Sequence, residues 1–331
     1  MAHTLKLSIY CFSIRKGRTK EFVGFKEFFN NHFIEGEEKK YEVPKEILYK
    51  RFADSYFETF GDQFIKNIDE TKAIGINTYN TMPKLNIIDG MVNGGITGID
   101  QDIFDSSNAK AAESTIDKSK VTSLPYYFKI WMPYDSQVGV IMVQSYTETG
   151  VTSLFVDKFK QFFKTKEYIF DFERHVPKEF KEKFAKKSVV KEIALYKTKL
   201  SAKAREELNS LFADFEGLKV KISISGFKLD VDSFKEGLQD GRFIHSDLAA
   251  FEITDENEYE TIATYEDVSG RESQAKVSKN LDIFPTIILN NDLKETGKEY
   301  PNYKKIQSHT DAILEKVKID IEYSPENVDK N

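Results

Sequence analysis

Leu5, Leu7, Ile9 and Cys11 fall at every second position of the first segment, and the positions between them turn apolar from Tyr10 onward. That pattern predicts a strand over 4–14 that becomes buried on both faces, an interior strand of a sheet. After the basic stretch Arg15–Lys20 the period changes. Phe22, Phe25, Phe28, Phe29 and Phe33 recur at three and four residues, the spacing of one helix face. A second helix is expected to open at Pro44 and to carry a broad apolar stripe from Ile47 to Ile68, bent or divided at Gly61.

From Leu85 the pattern alternates again. Residues 86–99 contain Asn93-Gly94-Gly95, which predicts a tight turn between two short strands. The small and polar residues 106–123 predict a mobile surface loop in which a functional flap could sit. A clearer signal follows at 126–146, where two apolar runs flank Pro133-Tyr134-Asp135 and form a hairpin. Leu154, Phe155, Phe159, Phe162 and Phe163 then line one side of a helix that covers it, which makes this unit the expected core of the first domain.

Further along, a helix is expected around 178–187, a strand at 189–196, and a helix capped by Ser201 and stopped by Gly217. Strands at 219–224, 249–253 and 284–289, a hairpin over 258–278 and a last helix at 303–317 complete the pattern. The fold class expected is α+β with two domains, 1–198 and 199–331, each an antiparallel or mixed sheet covered by helices. No repeat of 20 to 50 residues is visible.

Composition changes this picture in two ways. The 27 Phe and 16 Tyr against one Trp imply cores built on rings, and the single cysteine excludes an internal disulfide and reads as a buried small hydrophobe. No apolar run is long enough for a membrane helix, and Lys6 breaks the first apolar run before it could act as a leader, so a cytoplasmic location is expected.

Charge is uneven along the chain. Residues 1–156 carry a net −2, residues 157–213 a net +6 and residues 214–331 a net −10. A basic middle and an acidic end point either to a strip that contacts a polyanion or to two oppositely charged surfaces that meet. The strip runs from Lys158 to Arg205 with aromatics interleaved, and Lys178, Lys181, Lys183, Lys186 and Lys187 are its candidate nucleic-acid contacts. Nearly all of its cations are lysine, the solvating choice, so solvated helix faces explain the same residues.

A second constellation gathers Asp230, Asp232, Asp247 and Glu252 around His245. The carboxylates are of the type that holds Mg²⁺ or Mn²⁺, with His245 and Asp247 as the catalytic candidates of a phosphodiesterase. Asp230 with Ser233 also reads as a helix cap. A third cluster, Gly90, Gly94, Gly95 and Gly98 with Asp100, Asp102 and Asp105, could cradle a phosphate or a cation, or form a tight hairpin with solvated acids.

No phosphate-loop, dinucleotide, nucleophile-elbow or zinc motif occurs in the chain. The leading expectation is a cytoplasmic interaction protein that contacts nucleic acid or an acidic protein partner through 158–205, with no cofactor and no membrane. Such a composition fits a bacterial accessory protein, for example in defence against mobile DNA. The alternatives are a metal-dependent nuclease and a non-catalytic subunit of a complex.

Overall fold

The computed structural model describes residues 3–17, 19, 21–36, 42–147, 149–197, 200–212, 214–215, 217–240, 259–266, 272–277 and 284–323. The fold class is α+β, helices with antiparallel sheets. Contacts along the chain divide it into two compact units. The first comprises Met1–His175 and Ile287–Asn331, and the second Val176–Thr286.

The first unit begins with β1 (Leu5–Lys16), β2 (Phe22–Val23), α1 (Phe25–Phe33), α2 (Lys45–Glu58), β3 (Ile65–Lys66) and β4 (Lys72–Met82). It continues with β5 (Ile87–Ile96), β6 (Gln101–Phe104), β7 (Ala112–Ile116), β8 (Thr122–Trp131), β9 (Gly139–Tyr146), α3 (Thr152–Thr165) and β10 (Tyr168–His175). In the second unit lie α4 (Lys178–Lys187), β11 (Val189–Lys197), α5 (Ala202–Leu208), β12 (Val220–Asp230), α6 (Val231–Gln239), β13 (Glu260–Glu266) and β14 (Glu272–Val277). The chain then returns to the first unit with β15 (Ile287–Ile288) and α7 (Tyr303–Asp320).

The main sheet runs β10-β1-β9-β8-β5-β4-β3, with β2 and β15 also paired to β1. Two helical layers cover it. Phe128 of β8 meets Phe57 of α2 and Phe155 of α3, with ring centroids 5.7 and 4.9 Å apart. The next residue, Lys129, bonds to Gln307 and Asp311 of α7. Because neighbouring strand residues point to opposite faces, α2 and α3 lie on one face and α7 on the other.

The α1–α3 face is a continuous ring cluster. Phe12 of β1 lies within 5.2 to 5.6 Å of Phe25, Phe159 and Phe170, and Phe28 is 5.0 Å from Phe163. The β8–β9 hairpin with α3 forms the expected packed unit; Phe155, Phe159, Phe162 and Phe163 are buried, whereas Leu154 is half-buried.

Between 86 and 123 the structure corrects the sequence reading. Asn93-Gly94-Gly95 makes no turn, because β5 runs straight through it between β4 and β8. The glycines serve close approach instead: a Cβ on Gly90 would lie 2.1 Å from the Thr78 carbonyl oxygen, and one on Gly95 would lie 1.9 Å from that of Thr122. The segment expected as a loop, 106–123, contains β7, which pairs with β6 just before it. The second helix also ends at Glu58, short of the expected stripe, and Ile65 lies in β3.

In the second unit β12-β11-β13-β14 form an antiparallel sheet. Val190, Ile193, Leu195, Val231, Phe234, Ala263 and Tyr265 build its core. β11, which precedes the boundary expected from the sequence, pairs with β12 and β13. The strand expected at 249–253 lies outside the described residues.

Candidate functional site

α4 is the element on which the basic strip of the sequence becomes a definite surface. Its start is acidic at Glu179 and its end basic at Lys186 and Lys187, the arrangement that the helix dipole favours. Phe184 turns inward and meets the Tyr265 ring edge-on at 4.4 Å. Lys181 stands 5.0 Å over the Phe284 ring, so its ammonium is held by a cation–π contact. Lys183 pairs with Glu179 one turn earlier. Lys178, Lys183, Lys186 and Lys187 all present exposed side chains.

The rest of the strip is divided and largely engaged. Lys158 lies 5.6 Å over the Phe60 ring, and Lys166 lies 5.1 Å over both Phe33 and Phe162. Burial pushes both ammonium groups below their ordinary pKa, as expected of cations that roof an aromatic core. These two belong to the first unit, whereas the α4 lysines belong to the second. Downstream, Lys191 is clamped by Glu266 at 3.0 Å and Glu272 at 2.5 Å, and Arg205 is buried.

Of the proposed metal ligands, Asp230 already has a structural role. It caps α6, accepting from the Ser233 backbone N–H at 2.8 Å and from the Ser233 hydroxyl at 2.7 Å. Those bonds hold its carboxyl below the usual range. Asp232 sits in the first turn of the same helix. His245, Asp247 and Glu252 lie outside the described residues. Among the described residues no three His, Cys, Asp or Glu side chains are grouped to hold a metal ion.

The glycine and aspartate cluster does not form a cradle either. Asp100 accepts from the Lys118 backbone at 2.7 Å, Asp102 from the Thr115 hydroxyl at 2.9 Å, and Asp105 from the Ser107 backbone at 2.8 Å. Asp100 and Asp102 tie the two sides of the β6–β7 ribbon together, and Asp105 holds the turn that follows β6. Cys11 is buried, and burial, with Glu173 and Asp320 nearby, pushes its thiol up to about 12. Such a thiol stays protonated and is a packing residue.

A charged cluster that the sequence reading missed lies under α7. Asp89 of β5 accepts hydrogen bonds from Tyr303 at 2.7 Å, Gln307 at 3.0 Å and Tyr127 at 3.1 Å. Lys129 stands 3.9 Å from Asp89, pairs with Asp311 and donates to the Gln307 carbonyl at 3.3 Å. Thr310 shares a hydrogen bond with the Tyr127 hydroxyl at 3.0 Å. Asp89 and Lys129 are buried, and desolvation drives the ammonium below its ordinary pKa against the pull of the two aspartates. The Asp89 carboxylate oxygens are filled by protein donors, so this cluster acts as a joint between helix and sheet. One clue was present in the sequence: each of the two is the single charged residue of its strand.

A cleft of about 290 Å³ at the start of α3 is lined by Lys6, Lys72 and several hydroxyls. Its two lysines donate to the carbonyls of Thr147 and Gly150 and so secure the loop before α3. Comparison with family models, curated proteins and solved structures found no match.

Proposed function

We propose that this chain is an interaction protein that contacts an acidic partner, nucleic acid or an acidic protein surface, through the exposed lysines of α4. One observation supports the reading above the others. The helix is anchored by Phe184 and Lys181 on its inner side and presents Lys178, Lys183, Lys186 and Lys187 outward. Lysines so placed act as point charges on a rigid rod, suited to a phosphate or carboxylate array and indifferent to sequence. A cytoplasmic setting and a part in defence against mobile DNA belong to this proposal. Among the described residues no helix is long and apolar enough to cross a membrane.

The nuclease alternative has less support, because Asp230 is committed to capping α6.

The test is fluorescence anisotropy with labelled double-stranded DNA, single-stranded RNA and poly-glutamate, each over a salt series. Lys178→Glu, Lys183→Glu, Lys186→Glu and Lys187→Glu are combined in one variant, and Lys181 is left to cover Phe284. At least one polyanion is expected to bind with a log–log salt slope of up to about −4, one released counterion per lysine, and the variant to lose that binding. Binding that survives the quadruple change, or no binding to any of the three probes, refutes the reading.

A further inference from the structure

Strands β5 and β8 do not stop at the rim of the main sheet. Past Ile96 and before Thr122 the chain continues as β6 and β7, paired Gln101 to Ile116, Asp102 to Thr115 and Ile103 to Ser114. Residues 97–121 therefore form a two-stranded arm. Its neck is tightly bonded: Gly98 donates to the Lys118 carbonyl at 2.9 Å, the Thr97 hydroxyl to that of Lys120 at 2.9 Å, and the Thr97 backbone to Thr71 at 3.1 Å. Gly98 has φ +81, and a Cβ there would lie 2.5 Å from the Glu70 carbonyl oxygen, so only glycine fits this neck. The arm leaves the sheet in a direction fixed by these bonds.

The arm exposes apolar surface. Ile99 is 58% exposed, Phe104 46% and Ile103 42%. Single exposed apolar residues are ordinary, but three within six residues on a two-stranded ribbon are not explained by the arm's own packing. Among the described residues β6 and β7 pair only with each other, which leaves a free backbone edge on each.

Charge indicates what fits that edge. Asp100, Asp102, Asp105, Glu113 and Asp117 outnumber Lys110, Lys118 and Lys120 on the arm. Hydrogen bonds from Ser107 and Ser119 hold Asp105 and Asp117 below the usual carboxyl range and keep them charged. A second arm would bring like charges together, and so would a nucleic acid.

We infer that the arm is a docking element for an extended, basic and apolar segment of a protein partner, which adds to the arm as a further strand. Main-chain bonds to the free edge hold the segment, Ile103 and Phe104 take its apolar side chains, and the acids take its cations. This surface is opposite in sign to α4 and belongs to the other unit, so it goes beyond the proposal above.

The probe is a fluorescent peptide of alternating lysine and valine, with an alternating glutamate and valine peptide as its counterpart. The full chain is expected to bind the first and not the second. Ile103→Ser with Phe104→Ser, and separately Asp102→Lys with Glu113→Lys, should each weaken binding about tenfold or more, the loss expected of central interface contacts. The charge variant keeps the apolar residues and the apolar variant keeps the charge, so a folding defect in one leaves the other as an independent test. The quadruple α4 variant should bind the lysine peptide unchanged, which separates this inference from the α4 reading. No binding of the lysine peptide, or equal binding of both peptides, overturns the inference. So does self-association of the chain in sedimentation that Phe104→Ser abolishes, since the occupant would then be a second copy.

Discussion

The two faces of the main sheet are covered by opposite means. On one face, α1, α2 and α3 meet the sheet mainly through rings: Phe12, Phe28, Phe52, Phe159 and Phe163 contact one another directly or through a shared neighbour. On the other, α7 brings Ile306, Ile313, Leu314 and Val317 to the sheet but also encloses Asp89, Lys129 and Tyr127. An apolar face accepts many near-equivalent packings, because ring contacts are only weakly directional. A buried carboxylate with three donors accepts one arrangement, because any shift strands a charge. The aromatic face supplies stability, and the α7 face fixes the position of a helix that the chain adds last, after its excursion through the second unit.

The largest effect that separates the faces is expected from Phe159→Ala, which removes a ring touching Phe12, Tyr56, Phe163 and Phe170. Denaturant unfolding should show a loss of about 3–5 kcal/mol. An unchanged midpoint would mean that the ring cluster is not the core. Next come Asp89→Leu and Lys129→Met, each expected to cost about 3 kcal/mol, since either leaves buried polar groups without their partner. Both changes together should cost less than their sum by about 1–3 kcal/mol, because the second removes the charge that the first stranded. Strict additivity would show that the two residues do not form one unit.

What the sequence revealed of this arrangement follows from the range of the interactions. The β8–β9 hairpin and α3 are built from neighbours in the chain, and their periods of two and 3.6 can be read directly. α7 was readable too, from the spacing of Ile306, Ile313, Leu314 and Val317. The joint beneath it was not, because Asp89, Lys129 and Tyr303 are brought together only by sheet order and by the return of the chain at Ile287. Asn93-Gly94-Gly95 misled for a related reason. Local turn chemistry and close cross-strand approach both select glycine, and only the neighbouring strands distinguish them. The true hairpin tip lies beyond Phe104, in residues whose small polar character matched a loop. At the candidate site, the Asp230 cap was legible from Ser233 three residues on. The engagement of Lys158, Lys166 and Lys181 by rings was not, since each ring comes from another part of the chain.

The smallest expected effect is also the sharpest, because the same substitution should change sign between faces. On the aromatic face the Tyr56 hydroxyl is fully buried and has no hydrogen-bond partner among the described residues. Tyr56→Phe removes an unsatisfied donor and should be neutral or stabilising by about 1 kcal/mol. On the α7 face the Tyr127 hydroxyl bridges Asp89 and Thr310, so Tyr127→Phe should cost about 1 kcal/mol. The pH dependence follows with its sign. Burial raises the pKa of Tyr56, and burial with the Asp89 charge raises that of Tyr127, so the folded chain keeps phenol protons that the unfolded chain releases near pH 10. Their contribution is fully present below that pH and is lost as pH rises above it. Lys129 works the other way. Its folded pKa is lowered, so the unfolded state binds the extra proton between that value and the ordinary one, and stability gains slightly across this window. Tyr49, Tyr126, Tyr146, Tyr168 and Tyr303 are raised like Tyr56, so the raised tyrosines outnumber the lowered Lys129, Lys158 and Lys166 and the melting temperature should fall above pH 10. The fall should be shallower in Tyr56→Phe than in the parent chain. Equal alkaline slopes, or a Tyr56→Phe cost matching that of Tyr127→Phe, would show that the two faces bury their hydroxyls in the same way.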